Sequence, residues 1–343
     1  MNGKAEKGMQ ALRTALAPAL LLCAPLLAAP AAGAGFDAAS AGTSAGQFLK
    51  IASGARGAAL GEAYAALADD AFALDWNPAG LIHIKENSLA LMHAPYLADS
   101  FADYFAYAET AGEVGAWGVA FKYMNYGKID KTDSSGLDLG SFAPFDMYVN
   151  VGFACYITGF NKDPEERFVL GATGKLVKSK IISDDNTVSA DIGLNMPYMF
   201  ENRFRVSLVA QNIMGTLRYD KQEAQLPLVV RLGTLTKLGD HMNVTADIIA
   251  ARDNLPFLAM GSELNMPIYE EMDIALRAGF NTRAVGDLGG ARNFSVGAGL
   301  RYSDYRLDYA FSPFGDLGTV HRISAALTFA APEGPPPGYR PYR

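Results

Sequence analysis

Cysteine is nearly absent: the 343 residues include only Cys23 and Cys155. Cys23 lies in a leader-like segment, so no disulfide within one mature molecule can hold the fold, whatever its redox compartment. Long apolar runs are missing as well. Beyond the leader no stretch of about 18 apolar residues occurs, which excludes helical membrane spans. Positive charge is scarce. The formal net charge is -7; Lys4, Lys7 and Arg13 against Glu6 put +2 in residues 1–34, and -7 minus +2 leaves -9 for the remainder. With no basic cluster to offset it, that balance repels polyanions, and nucleic acid is not an expected partner.

Catalytic and metal-binding patterns are also lacking. His83, His93, His241 and His321 are scattered without metal-ligand spacing, so neither a metal nor another cofactor is expected. Gly54, Gly57 and Gly61 could suggest a phosphate loop, but no Gly-Lys-Ser/Thr follows and no strand precedes. Helix packing and close backbone approach explain these glycines better. His321 and Ser324 are the residue types of a lipid hydrolase, yet three positions apart in a strand they fall on opposite faces. The chain does not read as an enzyme.

What is present begins with a leader. Lys4, Lys7 and Arg13 precede an apolar stretch from Ala15 to Ala29, and Ala32-Gly33-Ala34 supplies a small-x-small cleavage pattern. The apolar stretch holds Pro18 and Pro25 and is too short to anchor in a bilayer. Leu22 before Cys23 argues against lipoprotein processing. Residues 1–34 are therefore expected to be a signal peptide, 35–86 a separate segment, 87–330 a strand region and 331–343 a disordered tail rich in Pro and Gly.

From Asn87 onward the hydrophobic period is 2. Val188, Ala190, Ile192, Leu194 and Met196 alternate with Ser189, Asp191, Gly193 and Asn195; Ile274, Leu276, Ala278 and Phe280 alternate with Asp273, Ala275, Arg277 and Gly279. About 14 such segments follow one another, near 87–95, 101–110, 113–125, 145–158, 167–178, 187–196, 204–213, 227–238, 241–251, 257–268, 272–283, 291–302, 304–312 and 319–330. Their length suits a tilted strand crossing a bilayer, about 9 to 11 residues. Long polar connections at 126–144 and 214–226 alternate with tight ones at Gly112, Gly239-Asp240, Glu270-Glu271 and Ser303-Asp304. Outer-membrane barrels show that asymmetry, with short turns at the periplasmic side.

The expected fold is therefore all-β, a 14-stranded antiparallel transmembrane β-barrel. An even strand number is expected to return both termini to the periplasm. Strands in hydrocarbon must close on one another, because their backbone polar groups find no water there. Charges on such strands belong inside, which places Asp191, Arg205, Arg231, Asp247, Asp273, Arg277, Arg301 and Arg322 in the lumen or at its rims. Trp117, Tyr123, Tyr148, Tyr156, Tyr302, Tyr305 and Tyr309 are expected in girdles at the lipid headgroups.

The segment before the strands is different in kind. It contains Gly54-Ala55-Arg56-Gly57-Ala58-Ala59-Leu60-Gly61-Glu62-Ala63 and, later, Asn77-Pro78-Ala79-Gly80-Leu81. Alanine spacing predicts a short helix from Ala58 to Asp70, stopped at the Asn77-Pro78 turn. So small a unit cannot bury enough surface alone and needs the barrel as its core. These residues resemble the PorV/PorQ family, a branch of the FadL-like outer-membrane barrels, over residues 42–81; Gln211-Asn212-Ile213 and Leu226-Pro227-Leu228 are similar to further family features. The resemblance implies a short N-terminal helical hatch plugging the lumen, with Gly54, Arg56, Gly57, Gly61, Asn77, Pro78, Ala79 and Gly80 as its motif and Arg56 as its anchor. Besides outer-membrane lipid, it implies one of two sets of partners: secretion-system components or secreted cargo of a type IX kind, or hydrophobic small molecules taken up by a channel. A structural barrel without transport is the third reading.

Overall fold

The computed structural model describes residues 35–157, 167–219, 221–283 and 290–330; the expected signal peptide and the Pro-rich tail lie outside the described residues. Eighteen strands are described: Asn87–Pro95 (β1), Phe101–Thr110 (β2), Ala116–Asn125 (β3), Ile129–Thr132 (β4), Asp138–Phe142 (β5), Phe145–Ile157 (β6), Phe168–Lys180 (β7), Asp184–Asn195 (β8), Phe204–Gln211 (β9), Thr216–Tyr219 (β10), Gln222–Gln225 (β11), Val229–Leu238 (β12), Met242–Ala251 (β13), Phe257–Tyr269 (β14), Met272–Asn281 (β15), Phe294–Tyr302 (β16), Tyr305–Pro313 (β17) and Thr319–Phe329 (β18). Fourteen of them form a closed antiparallel barrel, sealed where β1 pairs with β18 from Asn87↔Phe329 to His93↔Ile323. The other four make two hairpins, β4–β5 and β10–β11. Both sit in stretches expected to be polar loops, because strands of four or five residues are too short to show period-2 alternation.

Alternation decides which face meets lipid. On β6, Val149, Val151 and Phe153 point out while Asp146, Asn150 and Ala154 are buried. On β7, Leu170 and Leu176 are exposed while Thr173 and Lys175 are buried. Apolar side chains thus face the membrane and polar ones the lumen, as closure in hydrocarbon requires. Tyr123 and Trp117 lie on the outer face, but Tyr148 departs from the expected girdle. It shares the inner parity of β6 and is fully buried in the lumen, and Tyr156, on the same face, packs against the core.

Two mouths follow from chain direction. The lower one carries Asn87, Phe329 and tight turns such as Ser303-Asp304; the upper one carries the two hairpins. Residues 35–86 run through the lumen between them. Both ends of the strand region reach the lower mouth, as expected, yet the first described residues do not: the Phe36 amide donates to the Arg252 carbonyl just above β13, at the upper mouth.

The expected helix from Ala58 to Asp70 is not formed. Helices Ala55–Ala59 (α1) and Ala73–Trp76 (α2) are present instead, with a 3-10 turn from Pro78 to His83. Gly61 and Glu62 adopt φ of 66° and 75°, which ends the helix despite the alanines around it. Asn77 stops α2 and its side chain accepts from the Ala79 amide, capping the next turn. Phe48, Leu60, Phe72, Leu74 and Trp76 are all buried against the wall, with Phe72 stacked 5.4 Å from Tyr104. Each such side chain contributes on the order of 1.5–3 kcal/mol.

The wall admits the segment through inward glycines. A Cβ on Gly279 would lie 2.0 Å from the Gly61 amide nitrogen, and one on Gly171 would lie 2.2 Å from that of Ala79. Gly174, on the lipid face, has open space around it. Gly279→Val is expected to lower stability by about 3 kcal/mol or more, whereas Gly174→Val stays within about 0.5 kcal/mol. Denaturant midpoints of the detergent-solubilised barrel measure both.

Candidate functional site

The inserted segment is held by side chains that satisfy its backbone. Tyr64 and Ala65 amides donate to Asp247 Oδ2 of β13 at 3.2 and 3.0 Å. Arg205 Nε of β9 donates to the Ala66 carbonyl at 2.9 Å, and Asn77 Nδ2 bonds both the Ala65 carbonyl and Asn195 Oδ1 at 2.7 Å. Ser295 Oγ accepts from the Gly61 amide at 3.0 Å, and Ser324 Oγ accepts from that of Ala55 at 3.1 Å. Irregular backbone away from water leaves its amides and carbonyls in need of partners. The wall strands supply them with side chains, having already used their own backbone in the barrel.

Charges form the second layer. Arg56 Nε and Nη2 donate to the two oxygens of Glu263 at 2.7 and 2.8 Å, and Nη1 reaches Asp69 at 2.6 Å. Glu263 also accepts from Arg277 Nε at 2.7 Å, and Arg277 Nη1 donates to Asp308 at 2.7 Å. Arg306 then links Asp308 to Asp70 of the inserted segment. The fork of Arg56 makes the strong bidentate geometry that a lysine cannot.

A separate cluster surrounds Asp75, which accepts from Ser53 Oγ at 2.5 Å, from Lys122 Nζ at 3.2 Å and from the Tyr148 hydroxyl. Burial alone would raise the Asp75 carboxyl, but Lys122 and Lys175, with the two hydroxyl bonds, hold it below the ordinary carboxylate value. At the lower mouth His83 faces Arg205; burial, and then that guanidinium charge, hold the ring's pKa down to about 3, so it stays neutral and accepts the arginine's N–H. A cleft of about 360 Å³ opens there, among Asp70, His83, Lys85, Asp304 and Arg306.

Of the charges expected inside, Asp191, Arg205, Arg231, Asp247, Arg277 and Arg322 are buried in the lumen. Asp191 pairs with Lys175 at 2.7 Å; Arg231 bonds Gln211 at 3.0 Å; Arg322 bonds Ser312 at 3.3 Å. Arg301 and Asp273 pair with each other at the lower rim, where the Arg301 side chain is 64% exposed. Gly54, Gly57 and Gly61 sit close to Phe72, Trp76 and the Phe280 backbone, and Pro78, Ala79 and Gly80 are buried beside β7 and β8. Gln211 donates to the Asp75 carbonyl at 2.6 Å, and Asn212 turns the chain out of β9 at φ 55°. Sequence reading missed Lys122, Glu263 and Asp308. The available signal was parity: each occupies an inward position on its strand, as Lys122 does in line with Ala116, Gly118 and Ala120.

A closed barrel of fourteen antiparallel strands, apolar outside, with a polar lumen filled by its own N-terminal segment, defines an outer-membrane β-barrel with a hatch, of FadL-like fold. It shares that fold with a Pseudomonas aeruginosa FadL homologue, at 9% identity and TM-score 0.50 over 81% of this chain and 98% of that one. The TodX monoaromatic hydrocarbon channel of Pseudomonas putida, as its deltaS2 mutant, has 13% identity and TM-score 0.52, covering 81% and 99%. The CymD monoaromatic hydrocarbon channel likewise has 13% and 0.52, covering 81% and 98%. Identities this low show a common fold alone. No curated protein matches by sequence. Residues 36–248 match the family described as type IX secretion system protein PorV, and the chain belongs to that family. It resides in the outer membrane.

Removing one member of a buried ion network leaves its partners uncompensated. Arg56→Met is expected to cost about 3–5 kcal/mol, whereas Arg218→Ala, whose exposed partner is Glu223, costs under about 1 kcal/mol. Equilibrium unfolding in detergent compares the two.

Proposed function

We propose that this barrel serves protein secretion as a docking component, with its lumen closed and its upper rim as the working surface. The observation that carries this reading is the way the hatch is held: Arg56, Glu62, Asp70 and Asp75 each bond a wall residue of opposite charge, Glu263, Arg283, Arg306 and Lys122. A path for hydrophobic small molecules wants an open apolar lining, and here the apolar lumen residues, Met92, Tyr104 and Leu235 among them, are buried in one core with the hatch, while Lys122, Glu263, Arg277 and Asp308 occupy other inward positions. The TodX and CymD channels share only the fold, so their cargo does not transfer to this chain.

The upper rim is different in character. Leu137 and Leu139 of the β4–β5 hairpin are 63% and 51% exposed, Ile182 in the loop after β7 is 72% exposed, and Leu255 in the loop after β13, on another side of the rim, is 55% exposed. Apolar side chains displayed beyond the membrane, as Leu137 and Leu139 are on one hairpin, favour a protein partner. The description of the matching family, a type IX secretion system protein, supports the same assignment.

Replacing residues 129–142 by a short Gly-Ser turn tests it. Affinity-tagged protein cross-linked in native membranes is expected to recover secreted proteins or translocon subunits, and the shortened barrel at least tenfold less, equivalent to about 1.4 kcal/mol. Undiminished recovery by the shortened barrel, or uptake of hydrophobic compounds by liposomes holding the purified protein, would overturn the proposal.

A further inference from the structure

The hatch is threaded through the barrel from one mouth to the other. Its C-terminal end joins β1 at Asn87, among the tight turns of the lower mouth. Its N-terminal end is fastened at the upper mouth by three separate attachments. The Phe36 amide donates to the Arg252 carbonyl at 2.6 Å, and the Ala45 amide to the Gln225 carbonyl at 2.9 Å. Lys50 Nζ reaches both oxygens of Asp253 at 2.9 and 2.8 Å, where Gln47 Nε2 also donates at 2.7 Å. Arg252 and Asp253 follow β13, and Gln225 ends β11, so all three anchors lie above the strands. Asp253 is itself buried, which makes its pairing with Lys50 more than a surface contact.

Between the Phe36 and Ala45 anchors the chain faces outward. Asp37 caps a short 3-10 turn, its carboxylate accepting from the Ser40 amide at 2.8 Å and the Ser40 hydroxyl at 2.7 Å. Residues 35–39 and 41–43 are exposed. Orientation follows from the connections. The upper mouth bears the long ones, with their hairpins, while the lower bears links as short as Glu270-Glu271, and in outer-membrane barrels the short turns are periplasmic.

We propose that Gly35–Thr43 form an arm displayed on the outer surface of the cell, beside the β10–β11 hairpin to which Ala45 is bonded. A barrel whose strands start and finish at the periplasmic rim thereby presents its N-terminal side to the outside. If the leader is cut after Ala34, the new α-amine lies on the cell surface, beside Phe36, which is 37% exposed there. This assignment does not depend on the docking role: the arm's location holds whatever the barrel carries.

Accessibility of single cysteines tests it, in a Cys155→Ser background on intact cells treated with a membrane-impermeant maleimide. Ser135→Cys in the upper hairpin and Asp304→Cys in the lower turn serve as references, both positions being exposed. Ala38→Cys and Thr43→Cys, checked for barrel formation by heat-modifiable migration, are expected to label on intact cells as fully as Ser135→Cys. Asp304→Cys is expected to label only after permeabilisation. Arm cysteines that behave like Asp304→Cys, or that stay unlabelled in folded barrels, would overturn the proposal. So would reversal of the two references, which would invert the barrel. Loss of partner recovery on shortening the hairpin reads the docking role alone and leaves the arm's location untouched.

Discussion

Every backbone amide and carbonyl placed inside a membrane or a closed lumen must find a partner, and this structure is organised around that demand. The wall meets it by closing fourteen strands on themselves from β2 round to β1 and β18. Closure creates a second problem, because the enclosed hatch is irregular and cannot join the ladder. The wall answers with inward side chains: Asp247, Asn195, Arg205, Ser295 and Ser324 each bond a hatch residue, four of them at its backbone. Polar residues that would be costly facing lipid are thus the ones that seat the hatch.

The same logic explains why the ion pairs are numerous. A charge taken into the lumen is expensive unless fully partnered, and the hatch brings in Arg56, Glu62, Asp69, Asp70 and Asp75. Glu263 lies between Arg56 and Arg277, and Asp308 between Arg277 and Arg306, so charge alternates along the chain of contacts. Such a network specifies one seating of the hatch, since a shifted register would strand several charges at once.

Much of the wall was legible in the sequence because period 2 is a local signal, repeated over 9 to 13 residues in segments such as Phe145–Ile157. The hatch was legible only through its Gly-Ala-Arg-Gly and Asn-Pro-Ala-Gly motifs. Its helix was misplaced because alanine spacing from Ala58 onward favours helix locally, while Gly61 must approach the Phe280 backbone and so takes a left-handed turn there. Tyr148 reads as a girdle residue by its type, and only its parity with Asp146 and Asn150 shows that it faces inward. The wall partner of Arg56, Glu263, lies 207 positions away, a distance over which no local pattern carries information.

The threading of residues 35–86 has a consequence for how the molecule comes into being. A strap that passes through a ring cannot be added after the ring is shut unless one end is pulled through. Here one end continues covalently into β1 and the other is pinned to Arg252 and Asp253 at the far opening. The simplest order is that strands wrap around a segment already lying across them, with the β1–β18 seam, from Asn87↔Phe329 to His93↔Ile323, as the final clasp. Maturation is then a matter of enclosure, and the lumen has no empty precursor.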